Sequence, residues 1–247
     1  MRVRVGTSGF SYKEWKGSFY PQRLPNAKML RFYGERFDTV EINNTFYRMP
    51  NPGVLEGWLS EVGEDFSFVL KASQRITHHK KKIEEVAATT KEFFDTAKTM
   101  GVRLGPVLVQ LPPYLEKDLP RLTAFFDLVP KDMRVALEVG SPTWFEDDFY
   151  ALLRERGASL CIVDDPKKRT PFVATTSWGY LRLRETVYKK AGLAAWADKV
   201  TSQAWNEAYV FFKHEDEGTG PRLGAAFKKL LSSRAPRPES SVVETVK

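Results

Sequence analysis

Short apolar, β-branched runs recur along this chain, and amphipathic stretches fill most of the gaps between them. The runs predict strands over 2–6, 39–46, 66–71, 106–111, 134–139, 159–164, 179–184 and 208–213. Helical spacing predicts helices over 27–36, 52–61, 83–100, 118–128, 141–156, 193–204 and 222–231. Gly101 and Gly157 are placed to end two of them, since glycine tolerates the positive φ of a helix terminator. Between the sixth and seventh strands only a short extended piece, 172–175, can be read, with no clear helix.

Several strands are apolar on both faces, as in Val107-Leu108-Val109 and Tyr209-Val210-Phe211-Phe212. That pattern suits parallel strands covered on both sides. Eight strand–helix units then give the fold class: α/β, one TIM-like (β/α)8 barrel over 1–232, with a tail rich in Ser, Pro and Glu over 233–247. A doubly wound open sheet is the alternative, but no Gly-rich strand-to-helix phosphate loop supports it.

Composition narrows the chemistry. The chain has 247 residues, and 38 Lys and Arg against 31 Asp and Glu give a net charge of +7. Such a balance permits phosphate or nucleic-acid partners without requiring them. A single cysteine, Cys161, excludes an intramolecular disulfide framework and a Cys-rich zinc site, and it lies in an apolar run that suits a buried thiol. Any metal would have to lean on carboxylates, since there are only three histidines. No apolar run is long enough to span a bilayer, and Met1 leads straight into a strand pattern, so a cytoplasmic location is the expectation.

A parallel barrel gathers its chemistry at the C-terminal ends of its strands. Applied as a filter, this selects Thr7 and Ser8 in a Gly-Thr-Ser-Gly loop, then Glu41, Asn43 and Tyr47 at the second strand. Lys71 interrupts the apolar third strand, with His78 following, and is expected to reach an anion or a carboxylate such as Glu41. Gln110, Glu138, Trp144, Asp164, Arg182 and Lys213 complete the candidates. Glu41 and Glu138 are read as a general acid–base pair, with mutual repulsion and burial raising one pKa. Lys71, Arg182 and Lys213 are read as holding a phosphate or carboxylate, and the Thr7-Ser8 loop as orienting it.

The first functional expectation is therefore an enzyme acting on a phosphorylated or anionic small molecule by acid–base or hydrolytic chemistry. A second is nucleic-acid binding through Lys80-Lys81-Lys82, Lys167-Lys168-Arg169 and Lys189-Lys190, with Trp15, Tyr20, Tyr47 and Trp144 stacking on bases. A metal-dependent variant would draw on Glu41, His78, Glu138, Asp164 and His214, though no pair has a diagnostic spacing; no particular cofactor is implied. A non-catalytic ligand- or partner-binding barrel is the third class.

Ordered blocks of the chain also carry a resemblance. Gly6-Thr7-Ser8-Gly9-Phe10 with Trp15 and Phe19-Tyr20-Pro21 is one, and Thr39 to Tyr47 is another. Phe68 to Lys71 with Ile76-Thr77-His78, Gln110-Leu111-Pro112-Pro113, Glu138 with Trp144-Phe145, and Tyr180-Leu181-Arg182 continue it. Together they resemble the domain of unknown function 72 family, also called YecE-like, over almost the whole chain. The resemblance implies a TIM-like barrel and no assigned reaction; an endonuclease-four-like architecture is a distant, fold-level likeness. The chain departs from the family pattern at Gly140, where an Arg is expected, at Arg184, often His, and at Lys213-His214-Glu215, expected to be Asn-rich.

Overall fold

The computed structural model describes residues 1–78 and 83–234. The Lys80–Lys82 run and nearly all of the expected tail lie outside the described residues.

Nine strands form: β1 (Arg2–Thr7), β2 (Thr39–Ile42), β3 (Ser67–Lys71), β4 (Leu104–Gln110), β5 (Val135–Glu138), β6 (Ser159–Asp165), β7 (Lys168–Arg169), β8 (Trp178–Leu183) and β9 (Glu207–Phe212). Eight of them pair in parallel in the order β1-β9-β8-β6-β5-β4-β3-β2, and two-residue β7 folds back antiparallel on β6. The two ends of this order meet. The Gly9 amide donates to the Glu41 carbonyl at 2.7 Å, and Ser8 forms a parallel bridge with Glu41. Gly6 makes that approach possible, since a Cβ there would lie 2.2 Å from the Thr39 carbonyl oxygen. The sheet is thus a nearly closed eight-stranded barrel.

Helical segments cover its outside: α1 (Met29–Gly34), α2 (Asn44–Tyr47), α3 (Pro52–Glu61), α4 (Gln74–Thr77), α5 (Ala87–Lys98), α6 (Leu119–Leu128), α7 (Asp147–Glu155), α8 (Lys190–Thr201) and α9 (Thr219–Ser232). Local chemistry sets several of their starts. Asn51 accepts from the Gly53 amide ahead of α3, and Asp118 accepts from the Arg121 amide ahead of α6, each with proline in the first turn.

Several boundaries differ from the sequence expectation, and these bear on the site. The second strand ends at Ile42 rather than Phe46, because the Thr45 hydroxyl donates to the Ile42 and Lys71 carbonyls and bends Asn44–Tyr47 into a helical turn. The helix expected from Ser141 opens as a 3-10 turn, and α7 proper starts at Asp147. Where no helix was legible after the sixth strand, the β6–β7 hairpin takes its place.

Strand side chains alternate between two compartments. Val69, Leu108, Ala136, Cys161, Tyr180 and Phe211 share the barrel interior, while Phe68, Leu70, Val107, Val109 and Leu137 pack outward against helices. The N-terminal end of the interior is closed by ions. Glu207 lies between Arg4 at 2.7 Å and Arg134 at 2.8 Å, and Arg134 also donates to the Tyr209 hydroxyl at 3.0 Å. Among the described residues no helix is long and apolar enough to cross a membrane.

Candidate functional site

The inward positions at the opposite, C-terminal end are charged. Glu41 comes from β2, Lys71 from β3, Glu138 from β5 and Arg182 from β8, and all four are buried. Arg182 stands between the two carboxylates. Its Nη1 donates to Glu138 Oε2 at 2.7 Å, and its Nη2 donates to Glu41 Oε1 at 2.7 Å. The Tyr180 hydroxyl, two residues earlier on the same face, donates to the other Glu41 oxygen at 2.7 Å, and Asn43 Nδ2 adds a longer contact of 3.3 Å to Oε1. Gln110 Nε2 donates to Glu138 Oε1 at 2.7 Å. Lys168 of the β6–β7 hairpin lies 3.3 Å from that oxygen, and Arg184 lies 3.5 Å from Oε2.

This arrangement corrects the acid–base expectation at Glu138. Burial opposes its charge, but Arg182, Lys168 and the Gln110 amide outweigh burial and hold the carboxyl below the ordinary carboxylate range. A carboxylate kept ionised in this way is not a proton donor near neutral pH. Arg182 is corrected too: its terminal nitrogens are bonded to the two carboxylates, so its guanidinium is the clasp of the site rather than an open anion ligand.

Lys71 is different. Among the described residues no carboxylate lies within ion-pair distance of it, so the expected link to Glu41 is not made. Its Nζ stands 3.9 Å from the centroid of the Phe46 ring. Burial and the neighbouring Arg182 lower its pKa to about 8, only partly offset by Glu41 and Glu138. Three fully buried polar atoms near it lack a hydrogen-bond partner: Ser8 Oγ, Arg182 Nε and Arg184 Nε. Lys213, at the end of β9, stays half-exposed with Glu215 at 3.8 Å.

The sequence profile described as "Protein of unknown function DUF72" matches residues 4–244. The chain belongs to the DUF72 family. Relatives of this DUF72 protein include the UPF0759 protein YecE of Escherichia coli (strain K12), 29% identical over 168 residues that cover 66% of this chain and 59% of that protein. The UPF0759 protein YunF of Bacillus subtilis (strain 168) is 27% identical over 178 residues, covering 67% of this chain and 61% of YunF. The chain thus spans about three fifths of the length of the curated relatives it matches. A crystal structure of a DUF72 family protein from Thermotoga maritima superposes with a TM-score of 0.79 at 26% identity, covering 94% of this chain and 100% of that one. One from Enterococcus faecalis gives 0.79 at 20% identity, covering 96% and 99%, a likeness of fold alone.

In this DUF72 barrel three expected ligand residues face the helices instead of the mouth. Thr7 points outward, where its amide and hydroxyl both bond the Tyr33 hydroxyl of α1 at 2.9 Å. Asp164 also points outward and accepts from the Tyr188 hydroxyl at 2.8 Å and from Trp196 Nε1 of α8 at 2.9 Å. Trp144 is buried against α7, with Nε1 donating to the Leu115 carbonyl at 2.9 Å. The stacking residues expected for nucleic acid fare similarly. Trp15, Tyr20 and Trp144 are buried in the outer core, and Tyr47 alone of the four is well exposed, at 68%.

His78 shares a 2.8 Å hydrogen bond with the Thr77 hydroxyl and meets the edge of Phe46. His214 Nε2 lies 2.7 Å from the Glu185 carbonyl. Neither joins Glu41 and Glu138, and among the described residues no group of three His, Cys, Asp or Glu side chains converges as metal ligands. The departures from the family pattern have local reasons. Gly140 leaves no room for a side chain, since a Cβ would lie 2.3 Å from Pro113 Cα. Arg184 brings its own guanidinium to Glu138.

The sequence reading left out of the mouth Tyr180, whose signal was its two-residue spacing from Arg182, and Lys168, read there as a nucleic-acid contact but carried by a hairpin to Glu138. Tyr12 was missed as well. It packs beside Trp15, its hydroxyl donates to the Ser8 carbonyl at 2.7 Å, and burial pushes its pKa well up. Nothing in strand periodicity points to it.

Proposed function

We propose that the mouth of this barrel binds an anionic or phosphorylated small molecule and is an enzyme site for acid–base chemistry on it. The observation that carries the reading is Lys71, a buried cation with an aromatic neighbour but no carboxylate partner among the described residues. Around it Arg182, Arg184, Lys168 and Lys213 stand against Glu41, Glu138 and Glu215, so cations outnumber carboxylates. An incoming anion would balance this excess in a region partly withdrawn from water, where charge–charge interactions are strongest.

Roles follow from the geometry. The Glu41–Arg182–Glu138 clasp is a rigid charged floor. Arg184 and Lys213 are the more accessible anion ligands. Lys71, with a pKa of about 8, divides between ammonium and amine near neutrality and is the group suited to give or take a proton. Titration calorimetry with inorganic phosphate at low salt tests the binding step. A charge-assisted hydrogen bond contributes roughly 1.5–3 kcal/mol. Arg184→Met should therefore weaken phosphate binding by roughly tenfold to a hundredfold. No binding by the wild type, or equal binding by the variant, would end the anion reading.

A further inference from the structure

Lys71 has three features that anion binding alone does not require. It is the last residue of β3, its Nζ faces the Phe46 ring at 3.9 Å, and it lacks the carboxylate that normally accompanies a buried ammonium. A lysine desolvated by burial and set near other cations is the arrangement that frees an amine for covalent chemistry. Arg182 and Lys213 supply the nearby positive charge. A buried hydroxyl with no partner, Ser8 Oγ, completes the neighbourhood from the strand end bridged to Glu41.

We propose that the Lys71 amine forms an imine with the aldehyde or ketone group of the anionic substrate. The inference rests on reading the mouth as an anion site, and it names the substrate class as a carbonyl compound bearing a phosphate or carboxylate. The Nζ lone pair adds to the carbonyl carbon and gives a carbinolamine. The former carbonyl oxygen then leaves as water, taking the two amine hydrogens, and a carbon–nitrogen double bond remains. Protonation of that nitrogen yields an iminium, an electron sink for proton removal or bond cleavage at the adjacent carbon. No oxidant or reductant enters. Arg184 and Lys213 would meet the anionic group, while Ser8 offers a hydroxyl to the carbinolamine oxygen.

The reaction needs the neutral amine, so its rate should climb between pH 6 and pH 9, with its midpoint near the Lys71 pKa of about 8. The charged groups that set this value are Glu41 from β2, Glu138 from β5, Arg182 from β8 and Lys213 after β9. At pH 7 such an amine is neutral on the order of a hundredfold more often than an ordinary surface lysine.

The test is reductive trapping on the full chain. Dihydroxyacetone phosphate, pyruvate and uncharged acetone are each incubated with the protein and sodium cyanoborohydride, and the reduced adducts are mapped by peptide mass spectrometry. Selective labelling of Lys71 is expected, about tenfold or more above exposed Lys199 and Lys229, for the two anionic carbonyls and not for acetone. Excess inorganic phosphate should suppress it, and Lys71→Arg should abolish it. The wild-type labelling pattern decides the matter even if the variant does not fold. Phosphate binding with label spread evenly over the lysines overturns the imine and leaves the anion reading standing. Absence of both phosphate binding and Lys71 labelling removes both.

Discussion

Arg182→Met is the most informative single change in the barrel. It deletes a guanidinium that is 2% exposed and bonded at 2.7 Å to both Glu41 and Glu138. Removing one partner of a buried ion pair costs about 3–5 kcal/mol, because the other charge is left uncompensated. For a protein of this size each kcal/mol moves Tm by about 2–4 °C, so a drop of roughly 6–20 °C is expected.

The loss should depend on pH. In the wild type the Glu138 pKa is depressed, so its stabilisation is present above the unfolded carboxylate range and fades as pH falls through the folded value. In the variant, burial of Glu138 is opposed by Gln110, Lys168, Arg184, the Cys161 thiol and Lys71 but no longer by Arg182, so its charged form is penalised and protonation relieves the fold. The gap between wild type and variant should therefore be wide at pH 7 and narrow toward pH 4. Adding Glu41→Gln and Glu138→Gln should recover much of the stability, since a triad replaced as a whole leaves no orphan charge. Thermal denaturation of the three proteins at both pH values is the assay. A loss below about 1 kcal/mol, or one that is the same at pH 4 and pH 7, would refute the idea that opposed charges hold this site together.

Lys71→Met should stabilise the protein at pH 7. The Lys71 pKa of about 8 lies below the 10.5 of a free lysine, so the unfolded chain binds the proton more readily and wild-type stability rises between those values. Urea denaturation should show the advantage of Lys71→Met at pH 7 and its disappearance near pH 10.5. Asp164→Ala should cost roughly 1.5–3 kcal/mol by stranding the Tyr188 and Trp196 donors, with phosphate titration unchanged. Weakened phosphate binding in that variant would place Asp164 back at the mouth.

The rhythm of strands was legible because each strand is a short apolar run bounded by turn residues. The limits of that legibility lie in the same runs. In a parallel barrel both faces of a strand are buried and apolar, so hydrophobicity does not say which alternate residues point inward. Glu41, Lys71, Glu138 and Arg182 could be picked out because a charge within such a run is conspicuous. Thr7 and Asp164 met the same strand-end filter but stand one residue out of phase with inward-facing Ser8 and Val163. Only their partners on α1 and α8, brought from far along the chain, settle the direction. Lys168 was hidden for another reason, since its place at the mouth depends on the return of a hairpin rather than on any period.

The two ends of the barrel interior differ in how their buried charges are partnered. At the N-terminal end Glu207 lies between Arg4 and Arg134, and Arg4 also donates to the Asp65 carbonyl at 2.9 Å. No polar atom of Arg4, Arg134 or Glu207 is both buried and without a partner. That end is an internal ion network too, and it also holds an open atom, since Asp38, 3.7 Å from Arg4 through Oδ2, has a buried Oδ1 without a partner. At the C-terminal end Arg182 also joins two carboxylates, yet Ser8 Oγ, Arg182 Nε and Arg184 Nε remain unpaired. Both ends of the cylinder therefore carry buried ion pairs, and the C-terminal end carries more open donors.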